Sequence, residues 1–166
     1  MGVSGSGKST IGELLAKRLG IPFFDADDFH PIENVEKMKA GNPLNDEDRA
    51  PWLANLNQLA KKEMAKKGAI ITCSALKQKY RVSLEQGLPN SPEWVFLNGD
   101  FELILKRMNQ REGHYMPASL LQSQFDALEI PANAFEVDIA LPPKEILATI
   151  LSKLRGDSNI FTFEPT

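Results

Sequence analysis

Eight consecutive residues near the amino end, Gly2-Val3-Ser4-Gly5-Ser6-Gly7-Lys8-Ser9, carry the whole Gly-x-x-x-x-Gly-Lys-Ser pattern. The chemistry that needs this pattern is the grip on a nucleoside triphosphate. Glycines permit backbone conformations that turn successive N–H groups toward phosphate oxygens. A helix predicted over residues 9–19, with Thr10 in its first turn, adds the partial positive charge of its amino end. Lys8 is placed to reach the outer phosphates, and the Ser9 hydroxyl to ligate magnesium. Residues 2–10 are therefore the expected nucleotide-contacting set, with ATP and Mg2+ as cofactors.

A kinase also needs groups that handle the accepting hydroxyl. Asp25, Asp27 and Asp28 end a short apolar run over residues 21–24, and a buried strand delivers such carboxylates to the cleft at its carboxyl end. Alternate residues on an extended segment point the same way, so Asp25 and Asp27 are expected to face the cleft and Asp28 to face elsewhere. Asp27 is assigned to orienting or deprotonating the hydroxyl, and Asp25 to the magnesium shell, largely through water. A helix-capping role ahead of His30-Pro31 competes with this, most strongly for Asp28. No acidic residue closes the later strand-like run that ends Thr72-Cys73-Ser74, which puts more weight on Asp25.

Cations lie near the expected cleft in two segments. Arg49 and Arg81 can grip a carboxylate bidentately, and Lys77 can supply a point charge, as an acidic substrate requires. Lys79 reads as a solvated helix position, and Lys61, Lys62, Lys66 and Lys67 as surface. Cys73 reads as a buried strand residue, because phosphoryl transfer of this type needs no covalent step. Between residues 101 and 128 lies a basic, lid-like stretch, the lid itself over about 109–120, with Gly113 as hinge. Arg111 is assigned to the transferred phosphoryl and Arg107 to the nucleotide, with a surface ion pair as the alternative for either. His30 and His114 are candidate substrate contacts beside the plainer reading of hydrogen-bonded structural histidines. The turn Leu141-Pro142-Pro143 is a candidate adenine contact.

The elements that must position these groups alternate. Strand-like runs at 21–24, 69–73, 94–97 and 135–139 are separated by helical periods at 9–19, 77–86, 101–108 and 118–128, by a long helix marked by Trp52, Leu53, Leu56, Leu59 and Met64, and are followed by one at 143–154. Alternation of this kind predicts a three-layer α/β fold with a parallel sheet and a lid, like the nucleoside monophosphate kinases. Residues 1–156 are expected to form one domain and 157–166 a tail, whose Ile160, Phe161 and Phe163 can dock on the core. The phosphate loop requires a strand ahead of it, and only Met1 precedes Gly2. The expectation is that the protein starts upstream of Met1, the alternative being a truncated product with two unpaired strand edges.

Composition narrows the partners. A chain of 166 residues, 42% apolar, with a net charge of −3, is sized for one core and lacks the basic surface of a nucleic-acid binder. Its single cysteine precludes an intramolecular disulfide. No apolar run approaches the roughly 20 residues that span a bilayer, and the start is not a signal peptide, so the cytoplasm is the expected compartment.

Taken together, these residues resemble gluconate kinase of the small P-loop type, related to shikimate kinases. The resemblance extends nearly from Gly2 to Leu154 and rests on strings longer than the phosphate loop: Asp25-Ala26-Asp27-Asp28-Phe29-His30-Pro31, Gly41-Asn42-Pro43-Leu44-Asn45-Asp46-Glu47-Asp48-Arg49, Cys73-Ser74-Ala75-Leu76-Lys77 with Tyr80-Arg81, and Arg111-Glu112-Gly113-His114-Tyr115-Met116-Pro117. It implies ATP-dependent phosphorylation of D-gluconate at its 6-hydroxyl, and a homodimer. Three alternatives stay open: a shikimate kinase, although the loop after residue 72 lacks the expected glycines; a nucleoside monophosphate kinase, although Asn45, Arg49, Lys77, Tyr80 and Arg81 suit a polyhydroxy acid better than a base; and an inactive nucleotide-binding module.

Overall fold

The computed structural model describes residues 1–110 and 120–156. Among the described residues four strands, β1 (Phe23–Asp25), β2 (Ile70–Thr72), β3 (Val95–Asn98) and β4 (Phe135–Asp138), paired in parallel two by two, alternate with α1 (Lys8–Leu19), α2 (Ile32–Lys39), α3 (Asp46–Met64), α4 (Gln78–Glu85), α5 (Phe101–Asn109), α6 (Leu121–Asp126) and α7 (Pro143–Gly156). The strands form two halves. β1 pairs with β2, Phe23 opposite Ile70 and Asp25 opposite Thr72, and β3 pairs with β4, Val95 opposite Phe135 and Asn98 opposite Asp138.

Backbone hydrogen bonds from Met1 and Gly2 link the halves. The Met1 amine donates to the Val95 carbonyl at 2.5 Å, the Leu97 N–H returns to the Met1 carbonyl at 2.9 Å, and the Gly2 N–H reaches the Ser74 carbonyl at 3.3 Å. These are the rungs expected of the end of a strand leading into the phosphate loop.

Two apolar clusters hold the elements. One joins Val3, Ile11 and Leu15 to Leu97, Ile104, Val137, Ile146 and Ile150, so α1, α5 and α7 pack on the β3–β4 half. The other joins Ala26, Trp52, Leu56, Tyr80 and Leu84 under α3 and α4. Helix α1 lies tight against β1 and β2 because residue 12 is glycine: a Cβ there would sit 2.5 Å from Thr72 Cγ2 and 2.7 Å from Phe23 Cε2. Its stop is the expected one, with Gly20 at φ 66° and its N–H returned to Ala16.

The main departure from the expected elements lies between residues 31 and 49. An additional helix, α2, buries Asn34 and Met38, and α3 begins at Asp46, earlier than its apolar stripe indicates. A capping box sets that start: Asn45 Oδ1 accepts the Asp48 N–H at 2.8 Å, and Asp48 Oδ2 accepts the Asn45 N–H at 2.7 Å. Lys37 ties α2 to this box through Asp48 at 2.6 Å, and Asn34 through the Asp48 carbonyl at 2.8 Å. Among the described residues no helix is long and apolar enough to cross a membrane.

Candidate active site

The phosphate loop is shaped by left-handed glycines, Gly5 at φ 81° and Gly7 at φ 92°, the second serving as the amino cap of α1. A Cβ on Gly5 would also meet Met108 Cγ at 2.8 Å and Ile104 Cγ2 at 3.0 Å, so α5 seats the loop from below. Gly2, Val3, Ser4, Gly5 and Ser6 are buried, while Ser9 and Thr10 face solvent at the start of α1. Lys8 Nζ donates to the Val3 carbonyl at 3.1 Å, which folds its ammonium back over the loop it is expected to serve.

Ser9 Oγ donates to Asp25 Oδ2 at 2.5 Å, joining the phosphate loop to the end of β1. Two hard oxygen ligands side by side suit Mg2+, which keeps several waters and takes phosphate oxygens for the rest of its shell. Among the described residues no group of three or more His, Cys, Asp or Glu is gathered for a metal, so a magnesium ion here would rely on Ser9, Asp25 and the nucleotide. When bound, such an ion neutralises charge on the phosphate oxygens.

Asp25 and Asp27 come together for a reason other than strand alternation. After Asp25 the chain turns into a short 3₁₀ helix, Ala26–Phe29, and Asp25 caps it by accepting the Asp27 N–H at 3.1 Å. Asp28 is exposed; the cap is Asp25. The turn is held from behind: Trp52 Nε1 donates to the Ala26 carbonyl at 2.7 Å, and the Trp52 indole stacks on His30 with centroids 4.2 Å apart and planes 13° apart. Asn34 Nδ2 lies 3.5 Å from His30 Nδ1. Burial lowers the proton affinity of His30; the Asp27 carboxylate opposes this and Arg49 reinforces it. Burial thus disfavours the charged imidazolium at His30.

A cationic group surrounds the Tyr80 ring: Arg49 Cζ at 5.4 Å, Lys77 Nζ at 5.7 Å and Lys79 Nζ at 5.9 Å. Asp46 organises it, accepting from the Tyr80 hydroxyl at 2.5 Å, pairing with Lys79 and lying 3.6 Å from Lys77. The Lys79 and Tyr80 hydrogen bonds hold the Asp46 carboxyl down at about 2, while burial and then the Asp46 contact push the Tyr80 hydroxyl up to about 12. Arg49 Nε is buried and finds no partner among the described residues.

Two side chains on this side are engaged by nearby backbone. Arg81 is only 7% exposed, and its Nη1 donates to the Ala75 carbonyl at 2.8 Å and the Leu76 carbonyl at 3.2 Å, so it props the loop after β2 from inside. Asn45 spends its side-chain oxygen on the α3 cap. Cys73 is buried as expected, and burial pushes its thiol up to about 11, so it stays protonated. Arg107 Nη2 donates to the Ile139 carbonyl at 2.7 Å, which places it beside the turn after β4. Arg111, His114 and Gly113 lie outside the described residues.

Gln124 on α6 is a residue to which the sequence reading gave no role. Its Oε1 accepts the Ser4 N–H at 2.7 Å, and its Nε2 donates to Ser4 Oγ at 3.2 Å, so the helix that follows the expected lid braces the phosphate loop. Just beyond α6, the Glu129 carboxylate accepts the Gln78 N–H at the start of α4 at 2.5 Å, and the Glu129 N–H donates to the Leu76 carbonyl at 2.8 Å.

A family model described as shikimate kinase matches residues 4–134. A probable gluconokinase from Xenopus tropicalis is 44% identical over 172 residues, covering 95% of this chain and 90% of that protein. The thermosensitive gluconokinase of Escherichia coli K12 is 51% identical over 141 residues, covering 84% and 74%. Among solved structures, a gluconokinase from Sinorhizobium meliloti 1021 aligns with a TM-score of 0.80 at 41% identity, covering 96% of this chain and 95% of that one. The shikimate kinase of Aquifex aeolicus, at 20% identity and a TM-score of 0.57, shares the fold. A chain this similar to those proteins over most of its length, with a phosphate loop joined through Ser9 to Asp25, belongs to the gluconokinase family of P-loop kinases.

Proposed function

We propose that the chain transfers the γ-phosphoryl group of ATP to the 6-hydroxyl of D-gluconate. The observation that carries this reading is the Ser9–Asp25–Asp27 chain of contacts, 2.5 Å and then 3.1 Å, which links the nucleotide grip to the acceptor carboxylates. Asp27 orients the hydroxyl and takes its proton as the phosphoryl departs from ADP. Lys8 and the amide groups of the loop stabilise charge on the phosphates. On the acceptor side Arg49 and Lys77 meet the substrate carboxylate, and His30 offers a hydrogen-bonding edge to its hydroxyls. Arg111 and His114 complete the reading as phosphoryl and substrate contacts from the lid, and Arg107 as a nucleotide contact. ATP and magnesium are plentiful in the cytoplasm, which is the matching compartment.

The test is ATP consumption with gluconate, shikimate, a panel of nucleoside monophosphates and no acceptor. Gluconate-dependent turnover well above the acceptor-free rate is expected. A folded protein that turns over with another acceptor but not with gluconate would overturn the substrate, and silence with all of them would overturn the kinase.

A further inference from the structure

Helix α4 begins without a cap of its own. Lys77 stands at its amino boundary and makes no side-chain hydrogen bond to the first turn, since an ammonium has no lone pair to offer an N–H. The missing oxygen comes from 51 positions away: the Glu129 carboxylate accepts the Gln78 N–H at 2.5 Å, and its charge suits the positive end of the helix. Glu129 grips a second time, because its own N–H donates to the Leu76 carbonyl at 2.8 Å. The Leu76 carbonyl belongs to the peptide before Lys77 and the Gln78 N–H to the peptide after it. Glu129 therefore holds the backbone on both sides of Lys77.

The loop held in this way does not rest in a relaxed shape. Ala75 has φ 45° and is buried; a left-handed alanine costs free energy and persists where its surroundings fix it. Arg81 supplies part of that fixing from inside, on the Ala75 and Leu76 carbonyls, and the Gly2 N–H part of it on the Ser74 carbonyl. Glu129 holds the end of the loop from which the Lys77 side chain leaves, with Nζ 3.6 Å from Asp46 and 5.7 Å from the centre of the Tyr80 ring. Gln124, on the helix just before Glu129, braces Ser4 of the phosphate loop. Residues 124–129 thus touch the nucleotide side at one end and the loop of Lys77 at the other.

We propose that Glu129 is a positioning residue for the phosphoryl-accepting substrate: by holding both peptides that flank Lys77 it aims the Lys77 ammonium at the substrate carboxylate. The proposal rests on the kinase reading above, in which Lys77 meets that carboxylate. Glu129 itself touches neither substrate, so its effect runs through Lys77 and falls on one substrate of the two.

The experiment measures kcat and both KM values in the parent chain, Glu129→Ala, Glu129→Gln, Lys77→Ala and the double variant with alanine at both positions, together with hydrogen exchange at the Gln78 amide. The accepting substrate is whichever of the panel above the parent turns over, so a wrong substrate shows in the parent and a wrong role for Glu129 in the variants. Glu129→Ala is expected to raise KM for that substrate about fivefold, the effect of one lost helix cap, and to change KM for ATP less than about twofold. Exchange at Gln78 is expected to quicken at least about threefold in the same variant. Glu129→Gln keeps an accepting oxygen and is expected to return KM to within about twofold of the parent. With Lys77 already replaced by alanine, loss of Glu129 is expected to add less than about a further twofold. An unaltered KM for the accepting substrate in Glu129→Ala overturns the proposal. So do equal rises in both KM values, which mean general loosening, and fully additive effects of the two alanine substitutions, which mean that Glu129 does not act through Lys77. A parent silent with every substrate of the panel overturns this proposal together with the kinase reading.

Discussion

Replacing Trp52 with phenylalanine tests how the core reaches the chemistry. The indole N–H is the link from α3 to the Ala26 carbonyl, at 2.7 Å, and Ala26 stands between Asp25 and Asp27 in a fully buried position. Phenylalanine keeps most of the packing and the stack on His30 but has no donor. Leaving a buried carbonyl without this partner costs about 1–2 kcal/mol, and the smaller ring about 1 kcal/mol more. A total of about 2–3 kcal/mol corresponds to a fall of about 4–12 °C in thermal midpoint for a chain of this size. The turn that carries both carboxylates then loses its rear support. Misplacement by a fraction of an ångström is expected to lower kcat by about tenfold at a temperature where the variant is fully folded. Calorimetry and steady-state kinetics on the same preparation read both effects. A midpoint within about 1 °C of the parent would refute the hydrogen-bond accounting. A destabilised variant with undiminished kcat would refute the link from Trp52 to the carboxylates.

Asp27→Asn and Lys8→Ala are each expected to lower kcat at least about 100-fold with little change in midpoint; near-normal turnover by folded Asp27→Asn removes Asp27 from its role. Arg81→Met is expected to cost about 2–3 kcal/mol in denaturant titration, because two carbonyls lose a buried charged donor, while KM for the sugar acid changes less than about twofold; a large rise in KM with stability unaltered would support the gripping role. Since burial holds the folded-state pKa of His30 below its unfolded value near 6.5, the unfolded chain binds the extra proton, and stability is expected to decline as pH falls below that value; His30→Gln should flatten this part of the urea-midpoint profile. Gln124→Leu is expected to raise KM for ATP several-fold, on the order of 1 kcal/mol for one lost brace, and to leave KM for gluconate unaltered; equal rises in both would show general disorder in place of phosphate-loop positioning.

Much of the site was legible because its chemistry is local. The eight residues from Gly2 to Ser9 specify a phosphate grip by their own backbone freedom and the helix they start. Asp25 was legible as a strand-end carboxylate from the apolar run before it, although its capping of the next turn was not. An aspartate can cap a turn as readily as it can end a strand, and only the bend at Ala26 decides between them. Helix α2 was less legible, because its eight residues bury little beyond Asn34 and Met38.

Arg81 and Asn45 look like free polar groups in sequence, yet Arg81 Nη1 and Asn45 Oδ1 each bond backbone a few residues away, which a linear reading does not reveal. Gln124 was missed because its partner Ser4 lies 120 positions away. Sequence alone determined the alternation of strands and helices and the phosphate loop with the helix it starts, since these follow from periodicity and short-range backbone chemistry. Tertiary structure alone decided that Ser9 meets Asp25, that cations gather round Tyr80 and that Gln124 braces the loop, because those depend on which distant groups spend their hydrogen bonds on one another.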